Sequence, residues 1–548
     1  MIADIQITEK SFGSKRLMHD VRFSVDDGEK VGIVGRNGVG KSTLFHMLAG
    51  KDTDFIGDIV YSRGATVATT AQEHHGLGDV TVLQYILSGL PEYPELKSII
   101  EQYPATMGDD ITKINTYSQA LERFGTKDFY QIEDKVCQTL DSFGLGEMAN
   151  ERFATLSGGQ KRLVEIVKIM HSDAHLALID EPTNHMDFVA KQRFIDWMRA
   201  AREAMLIITH DRDVLGHVDR IIEIKDGGSV SYRGNYEAYL RQNAASTSTG
   251  MNDFEHVEKR IENLKQKVIQ YQRLKEKSRN PSTIQRFKRL ENTSRRELAE
   301  LEEIDKPSFW IDKSSVSELD YKAATRYDKF KTRNIRLGLK DDTSRSKHVL
   351  VKVTDVSLGY DFPLFEHVNV DLREGEAVEL QGRNGAGKTT FIRQLLRSDA
   401  SGVNVFAGEM SLDAHVRIGV YEQEISEQYL HETLGTAIEN LYLAKNVPIS
   451  ETKVRQLCAD YLFDDSDRNM PIAQLSGGQK ARFQIIAMLA NDPQLLILDE
   501  PTNHLDLPSI EELETALVKY TGAVLYVSHD TYFRQAIGGE IVQIGRTS

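Results

Sequence analysis

Two nonapeptides, GRNGVGKST at 35–43 and GRNGAGKTT at 382–390, combine residue types that can hold a triphosphate. Each follows a short apolar run (KVGIV, AVELQ) and leads into a helical pattern (STLFHMLAG, FIRQLL). A strand, a glycine-rich loop and a helix are therefore expected in that order, which is the setting a phosphate-binding loop requires. Gly35, Gly38 and Gly40, with Asn37 among them, leave backbone N–H groups free to wrap phosphate oxygens. Gly382, Gly385 and Gly387 do the same around Asn384, and each helix N-terminus adds positive potential. Lys41 and Lys388 are placed to bridge the β- and γ-oxygens. Ser42 and Thr389 are placed to ligate Mg²⁺, with Thr43 and Thr390 closing the loops.

Downstream, the apolar runs HLALIDE and LLILDE end in paired acids. The first acid of each pair, Asp180 or Asp499, is expected to hold the magnesium water shell. The second, Glu181 or Glu500, is expected to orient and polarise an attacking water. Two carboxylates capping the following turn are the structural alternative. His210 and His529 follow the apolar runs AMLIIT and AVLYVS, each 29 positions beyond its glutamate. That repeated offset favours a γ-phosphate contact over a structural histidine.

The chemistry is duplicated as a block. LSGGQ occurs at 156–160 and 475–479, IDEPTNHMD at 179–187 is matched by LDEPTNHLD at 498–506, and THD at 209–211 by SHD at 528–530. Ser157 to Glu181 and Ser476 to Glu500 both span 24 positions. Repeats of one unit in one order imply two copies of one α/β ATP-binding domain. LSGGQ presents a hydroxyl and glycine N–H groups ahead of a helix, and it resembles the signature of ATP-binding-cassette (ABC) ATPases. That resemblance implies that each domain's signature closes on ATP held by the other domain. One site then pairs Lys41, Glu181 and His210 with Ser476, Gly477, Gly478 and Gln479. The other pairs Lys388, Glu500 and His529 with Ser157, Gly158, Gly159 and Gln160. Gln72 and Gln423 match the family's Q-loop, which approaches the metal. Phe12 and Tyr360 lie 29 and 28 positions before the loop lysines, where the family stacks an aromatic ring on adenine; ordinary core rings are the alternative. ATP and Mg²⁺ are the implied cofactors, and two hydrolytic sites are expected.

The remaining composition bounds the setting. At 548 residues, with 40% apolar and 27% charged, the chain needs more than one core. Two cysteines, Cys137 and Cys458, exclude a disulfide framework and fit a reducing, cytoplasmic location. MIADIQITEKSF has no signal-peptide pattern, and no apolar run reaches a membrane-spanning length, so no membrane insertion is expected. Gln72 to Ser157 spans 85 positions against 53 for Gln423 to Ser476, so the first copy carries 32 extra residues within about 91–130, read as two helices around a turn at Met107–Asp110.

Between the copies, residues 241–350 hold 25 Lys+Arg and 17 Asp+Glu, in a chain whose net charge is -15. Apolar positions from Phe254 to Leu274 recur at spacings of three and four, Asn280-Pro281-Ser282 breaks the pattern, and a second periodic run follows. This predicts an antiparallel coiled-coil hairpin over 252–304, with a first helix of about 25 residues reaching roughly 37 Å. Arg273, Lys275, Lys277, Arg279, Arg286, Lys288 and Arg289 crowd its tip, as a polyanion contact or a merely solvated face. The expected organisation is 1–240 first ATPase domain, 241–345 charged linker and 346–548 second ATPase domain. Tandem cassettes, EPTNHMD and EPTNHLD, YRGNYEAYL at 232–240 and the charged linker together resemble the ABC-F family. The resemblance implies a monomeric ATPase at the ribosomal E site, its hairpin directed toward rRNA and P-site tRNA and its insertion toward the ribosome. KTRNIRLGLKDDTSRSK at 331–347 leans toward members that protect ribosomes from antibiotics. An ATPase acting on branched DNA and the engine of a separate transporter are the competing readings.

Overall fold

A computed structural model describes the chain except residues 14, 71–78, 107, 109, 185, 303–308, 313–314, 317–320, 338–347, 398–401, 423–424 and 546–548. The described residues form two compact units, one of residues 1–236 with 335–548 and one of 237–334.

The first unit holds both α/β copies. In the first, the strands run in the order Gly228–Arg233, Arg220–Lys225, Lys30–Gly35, Ala204–Ile208, Leu176–Asp180, Val67–Thr69. All neighbours are parallel except the outer Gly228–Arg233 pair. Leu176–Asp180 and Ala204–Ile208 are buried at every position, as strands covered on both faces must be. The second copy repeats the parallel core in the order Ile418–Tyr421, Leu495–Asp499, Ala523–Val527, Ala377–Gln381, Glu540–Gln543. An antiparallel sheet accompanies each core: Ala3–Phe12 pairs with three strands, and Val349–Gly359 with two. Apolar side chains from sheet and helices interleave, as Ile33, Leu44, Leu178 and Leu206 do in the first copy and Leu380, Phe391, Ile497 and Leu525 in the second. The phosphate loops therefore open at the carboxyl ends of central strands, where parallel sheets bind ligands.

The extra segment of the first copy forms the helices Tyr93–Thr106 and Ile111–Thr126. It is anchored rather than loose. Tyr93, Phe124 and Phe129 form a mutual ring cluster with centroids 5.2–5.7 Å apart, and Lys97 bridges the Tyr93 hydroxyl and Glu133.

The second unit is helical. Its first helix runs from Tyr236 to Lys277, 42 residues, far longer than the 25 expected from the apolar spacing. The polar stretch 243–250 hid this extension, because its helix is stabilised by packing rather than by its own pattern. Met251 is buried with Ile311, Tyr327 and Phe330, and the Asn243 side chain donates to the Trp310 carbonyl. The second helix is Pro281–Glu302, begun by a proline that cannot disrupt a first turn. Arg260–Glu297, Lys265–Glu302 and Lys275–Glu291 ion pairs and the Tyr271–Phe287 ring stack join the two helices in antiparallel order. Among the described residues no helix is long and apolar enough to cross a membrane.

Candidate ATP sites

Each phosphate loop has the backbone its glycines permit. Gly40 and Gly387 sit at φ +97° and +99°, a left-handed conformation that L side chains rarely adopt, and a Cβ on Gly40 would meet Leu17 at 2.6 Å. The helices Lys41–Leu48 and Lys388–Leu396 start immediately after. Both lysines fold back into the loop: Lys41 Nζ donates to the Gly35 carbonyl at 2.7 Å, and Lys388 Nζ to the Gly382 carbonyl at 2.7 Å. Burial holds both ammonium groups below the usual lysine range, so each is a poorly solvated cation poised for an anion.

The acids expected to serve the metal join these loops. Ser42 Oγ donates to Asp180 Oδ2 at 3.0 Å and Thr389 Oγ1 to Asp499 Oδ2 at 2.9 Å, so each hydroxyl–carboxylate pair converges on one point beside a lysine. The following glutamates occupy a strained conformation, φ 46° at Glu181 and 51° at Glu500, where non-glycine residues are uncommon. Burial and the adjacent Asp180 push the Glu181 carboxyl up to about 8. His210 Nε2 lies 3.6 Å from Glu181 Oε1 and His529 Nε2 3.3 Å from Glu500 Oε1. Burial first, then the neighbouring loop lysine, pushes both imidazoles down to about 3, so they are neutral and can donate through one nitrogen. Neither ring nitrogen of His210 has a hydrogen-bond partner among the described residues, although the ring is 7% exposed. A buried donor left so is costly, and a phosphate oxygen is the kind of group that satisfies it. The residues present thus fit a magnesium triphosphate.

The two copies face each other head to tail. Gly478 of the second signature approaches the first phosphate loop so closely that a Cβ there would lie 2.1 Å from Asn37 Nδ2. The same Asn37 donates from its amide side chain to the His504 carbonyl at 2.8 Å and from its backbone to Asp506 Oδ2 at 3.1 Å. Reciprocally, the Asn384 backbone donates to Asp187 Oδ2 at 3.1 Å. Ser157 and Ser476 cap the helices Gly158–His171 and Gly477–Leu489, each in a reciprocal capping box with Gln160 or Gln479. Gly159 opens its helix beside Gly158, around which the space is free. Thr43 and Thr390 lie in the first turn after the lysines. Phe12 and Tyr360 are about half exposed, 55% and 48%, which excludes an ordinary core role for either ring. Gln72 and Gln423 lie outside the described residues.

Sequence reasoning left several residues of the junction unassigned. Asp187 and Asp506 close the duplicated EPTNH(M/L)D motif, and their recurrence was a usable signal. Lys191, Arg212 and Glu514, which cross between the copies, carry no duplicated motif and gave none.

At the helical unit's tip, Arg273, Lys277, Arg279, Arg286, Lys288 and Arg289 are exposed. Lys275 is different: it is two-thirds buried and donates to Glu291 at 2.6 Å. Glu291 also binds Arg295, and these partners hold its carboxyl below the usual range, with the Lys275 bond the largest cause.

Two parallel-sheet cassettes with paired phosphate loops, acids and facing signatures define a tandem P-loop nucleotide-binding protein. The ABC transporter family model matches residues 18–184 and 365–503, and a companion model of the same description matches 222–317. The chain belongs to the ABC family, whose cassettes are ATP-binding P-loop domains, and within it to the tandem-cassette F type. It is 29% identical to the ATP-binding protein YdiF of Bacillus subtilis, across 99% of this chain and 80% of that one. ABC transporter F family member 5 of Arabidopsis thaliana is 27% identical across 98% of this chain and 74% of that one. Among solved structures, RNase-L Inhibitor superposes with a TM-score of 0.55 at 17% identity, covering 99% of this chain and 90% of that one. A model of ribosome-bound archaeal Pelota and ABCE1 gives 0.53 at 17%, covering 97% and 74%. At these identities the structural likeness concerns the fold.

Proposed function

We propose that this protein is a Mg²⁺-dependent ATPase that binds the ribosome and uses cassette closure around ATP to position its helical hairpin against RNA. The observation that carries the ATPase part is the contact of Gly478 with Asn37, because it assembles a signature from one copy on the phosphate loop of the other. Within each site, Lys41 or Lys388 binds the β- and γ-phosphates, and Phe12 or Tyr360 stacks on adenine. Ser42 and Asp180, or Thr389 and Asp499, would hold magnesium, which would supply charge neutralisation on the transferring phosphoryl group. Glu181 or Glu500 orients the water, and His210 or His529 donates to the γ-phosphate.

The ribosomal part rests on the F-type arrangement, on the hairpin's coiled-coil-like pairing and cationic tip, and on a fold shared with ABCE1 in a ribosome-bound assembly. The exposed arginines and lysines suit phosphate-backbone contact, and the anchored 93–126 helices offer a second ribosomal surface. Antibiotic protection is one form this activity takes; most of the exit segment 331–347 that suggests it lies outside the described residues.

Co-sedimentation tests the reading. The Glu181→Gln/Glu500→Gln chain, loaded with ATP, is expected to pellet with ribosomes at low salt, and its absence from the pellet would reject ribosome binding. Reversing Arg273, Arg279, Arg286 and Arg289 to glutamate should weaken pelleting at least about tenfold. It should leave ATP binding intact and flatten the salt dependence. Lys275→Gln, which removes a charge already neutralised by Glu291, should weaken pelleting less than an arginine-to-glutamine change at any of the other four. Growth with and without expression across a panel of ribosome-targeting drugs separates protection from a general translation role.

A further inference from the structure

The pseudo-twofold junction between the cassettes is not symmetric. Signature and switch residues of the two copies correspond at a constant offset of 319, as in Ser157 and Ser476 or His210 and His529. On that correspondence Lys191 matches Ile510, Arg212 matches Thr531, Asp213 matches Tyr532, and Ile195 matches Glu514. Lys191, Arg212 and Glu514, which cross the junction, sit at these mismatched positions, whereas Asp187 and Asp506 cross it as a matched pair.

Lys191, 3% exposed, lies on the helix Phe188–Ala200 of the first copy. Its ammonium donates at 2.6 Å to Asp213 Oδ2 and lies 3.4 Å from Asp211 Oδ2, at the start of the short helix Arg212–Leu215 that follows His210. It also donates at 2.7 Å to the backbone carbonyl of His529, the switch histidine of the other site. Thr531 Oγ1 donates back to Asp213 at 2.8 Å, so the second switch loop is held at two points. Beside it, Arg212 binds Asp530 Oδ2 at 3.1 Å and Glu514, with its guanidinium 4.8 Å from the Tyr532 ring centroid. Burial works against charge on Lys191, but Asp211 and Asp213 overcome it and the ammonium is held above its usual range. The side chain thus stays cationic within a cavity that both Glu181 and Glu500 line.

We infer that Lys191 is a cross-cassette positioning residue that sets the His529 loop and thereby makes the two ATP sites inequivalent, with the second site dependent on a cation from the first copy. Ile510 stands where a reciprocal cation would be and has no donor to offer His210. Arg212, Asp530 and Glu514 fix the distance across which Lys191 reaches. Misplacement of a catalytic group by about 1 Å costs roughly 10²-fold in rate, so a single anchoring bond to a switch loop is enough to separate two sites kinetically.

The inference rests on the ATPase reading above, and the test distinguishes the two. The full chain is loaded with ATP without divalent cation, mixed with Mg²⁺ and quenched in acid, and ADP per chain is followed with time. Two phases of one ADP each are expected, assigned by Glu181→Gln and Glu500→Gln, each of which removes one. Lys191→Met should slow the phase that Glu500→Gln removes by about tenfold or more and the other far less, as a loss in kcat with little change in KM for ATP. Lys191→Arg, which can still donate to the His529 carbonyl, should restore most of that rate. Should the methionine variant fail to fold by its melting curve, Asp213→Asn serves instead and should slow the same phase. Equal slowing of both phases, one indivisible phase in the unaltered chain, or no restoration by arginine overturns the inference. Absence of any ADP from the unaltered chain overturns the ATPase reading itself.

Discussion

Replacing Glu181 and Glu500 together by glutamine is expected to leave ATP bound while cutting steady-state hydrolysis by about 10²–10⁴-fold, the range associated with losing a positioned general base. Glutamine keeps the shape of the side chain and its ability to hydrogen-bond, but it cannot accept a proton from water. The strained backbone at both positions argues for a role beyond turn capping. A left-handed glutamate persists only where its surroundings enforce it, and here the Glu181 and Glu500 N–H groups are each tied to the neighbouring strand, at Ile208 O and Val527 O. Retention of labelled ATP through gel filtration together with phosphate release measures both halves of the expectation. Phosphate release at the unaltered rate would place the chemistry elsewhere.

Gly478→Val should be nearly as damaging, for a steric reason. The Cβ would lie 2.1, 2.6 and 3.0 Å from Asn37 Nδ2, Cγ and Cβ, and Asn37 cannot easily retreat because its amide is bonded to the His504 carbonyl. The cassettes would have to part to admit even one methyl group. A loss of about a hundredfold in hydrolysis is expected, with alanine at the same position intermediate and nucleotide binding by the phosphate loops largely kept. Fluorescent-nucleotide titration alongside phosphate release separates the two. A valine variant that hydrolyses at the normal rate would mean that this closed arrangement is not the reactive one.

These expectations differ in how far the sequence alone carries them. The phosphate loops, the paired acids and the switch histidines are contiguous or adjacent to contiguous strands, and their chemistry follows from local backbone. Gly40 needs its left-handed conformation whatever surrounds it. The hairpin was legible in outline because Asn280-Pro281-Ser282 interrupts a strong apolar period, but its true length was not. Residues 243–250 have too few apolar positions to announce a helix, and they owe it to Ile311, Tyr327 and Phe330 packing around Met251. Charge was misleading at Lys275, whose neutralising partner Glu291 is 16 positions away and on the other helix.

The sequence by itself determined that two copies of one triphosphate chemistry exist, because each motif is a short-range device of turn, strand end and helix start. Only the tertiary structure decided how the copies interlock. Asn37 meets His504 and Asp506 across more than 460 positions, and Arg212 meets Glu514 across 302. Those partners are chosen by the packing of one cassette on the other, and the asymmetry between the sites arises at positions outside every repeated motif. Local backbone rules reach a few residues along the chain, whereas an ion pair at a buried junction depends on every element that brings its two ends together.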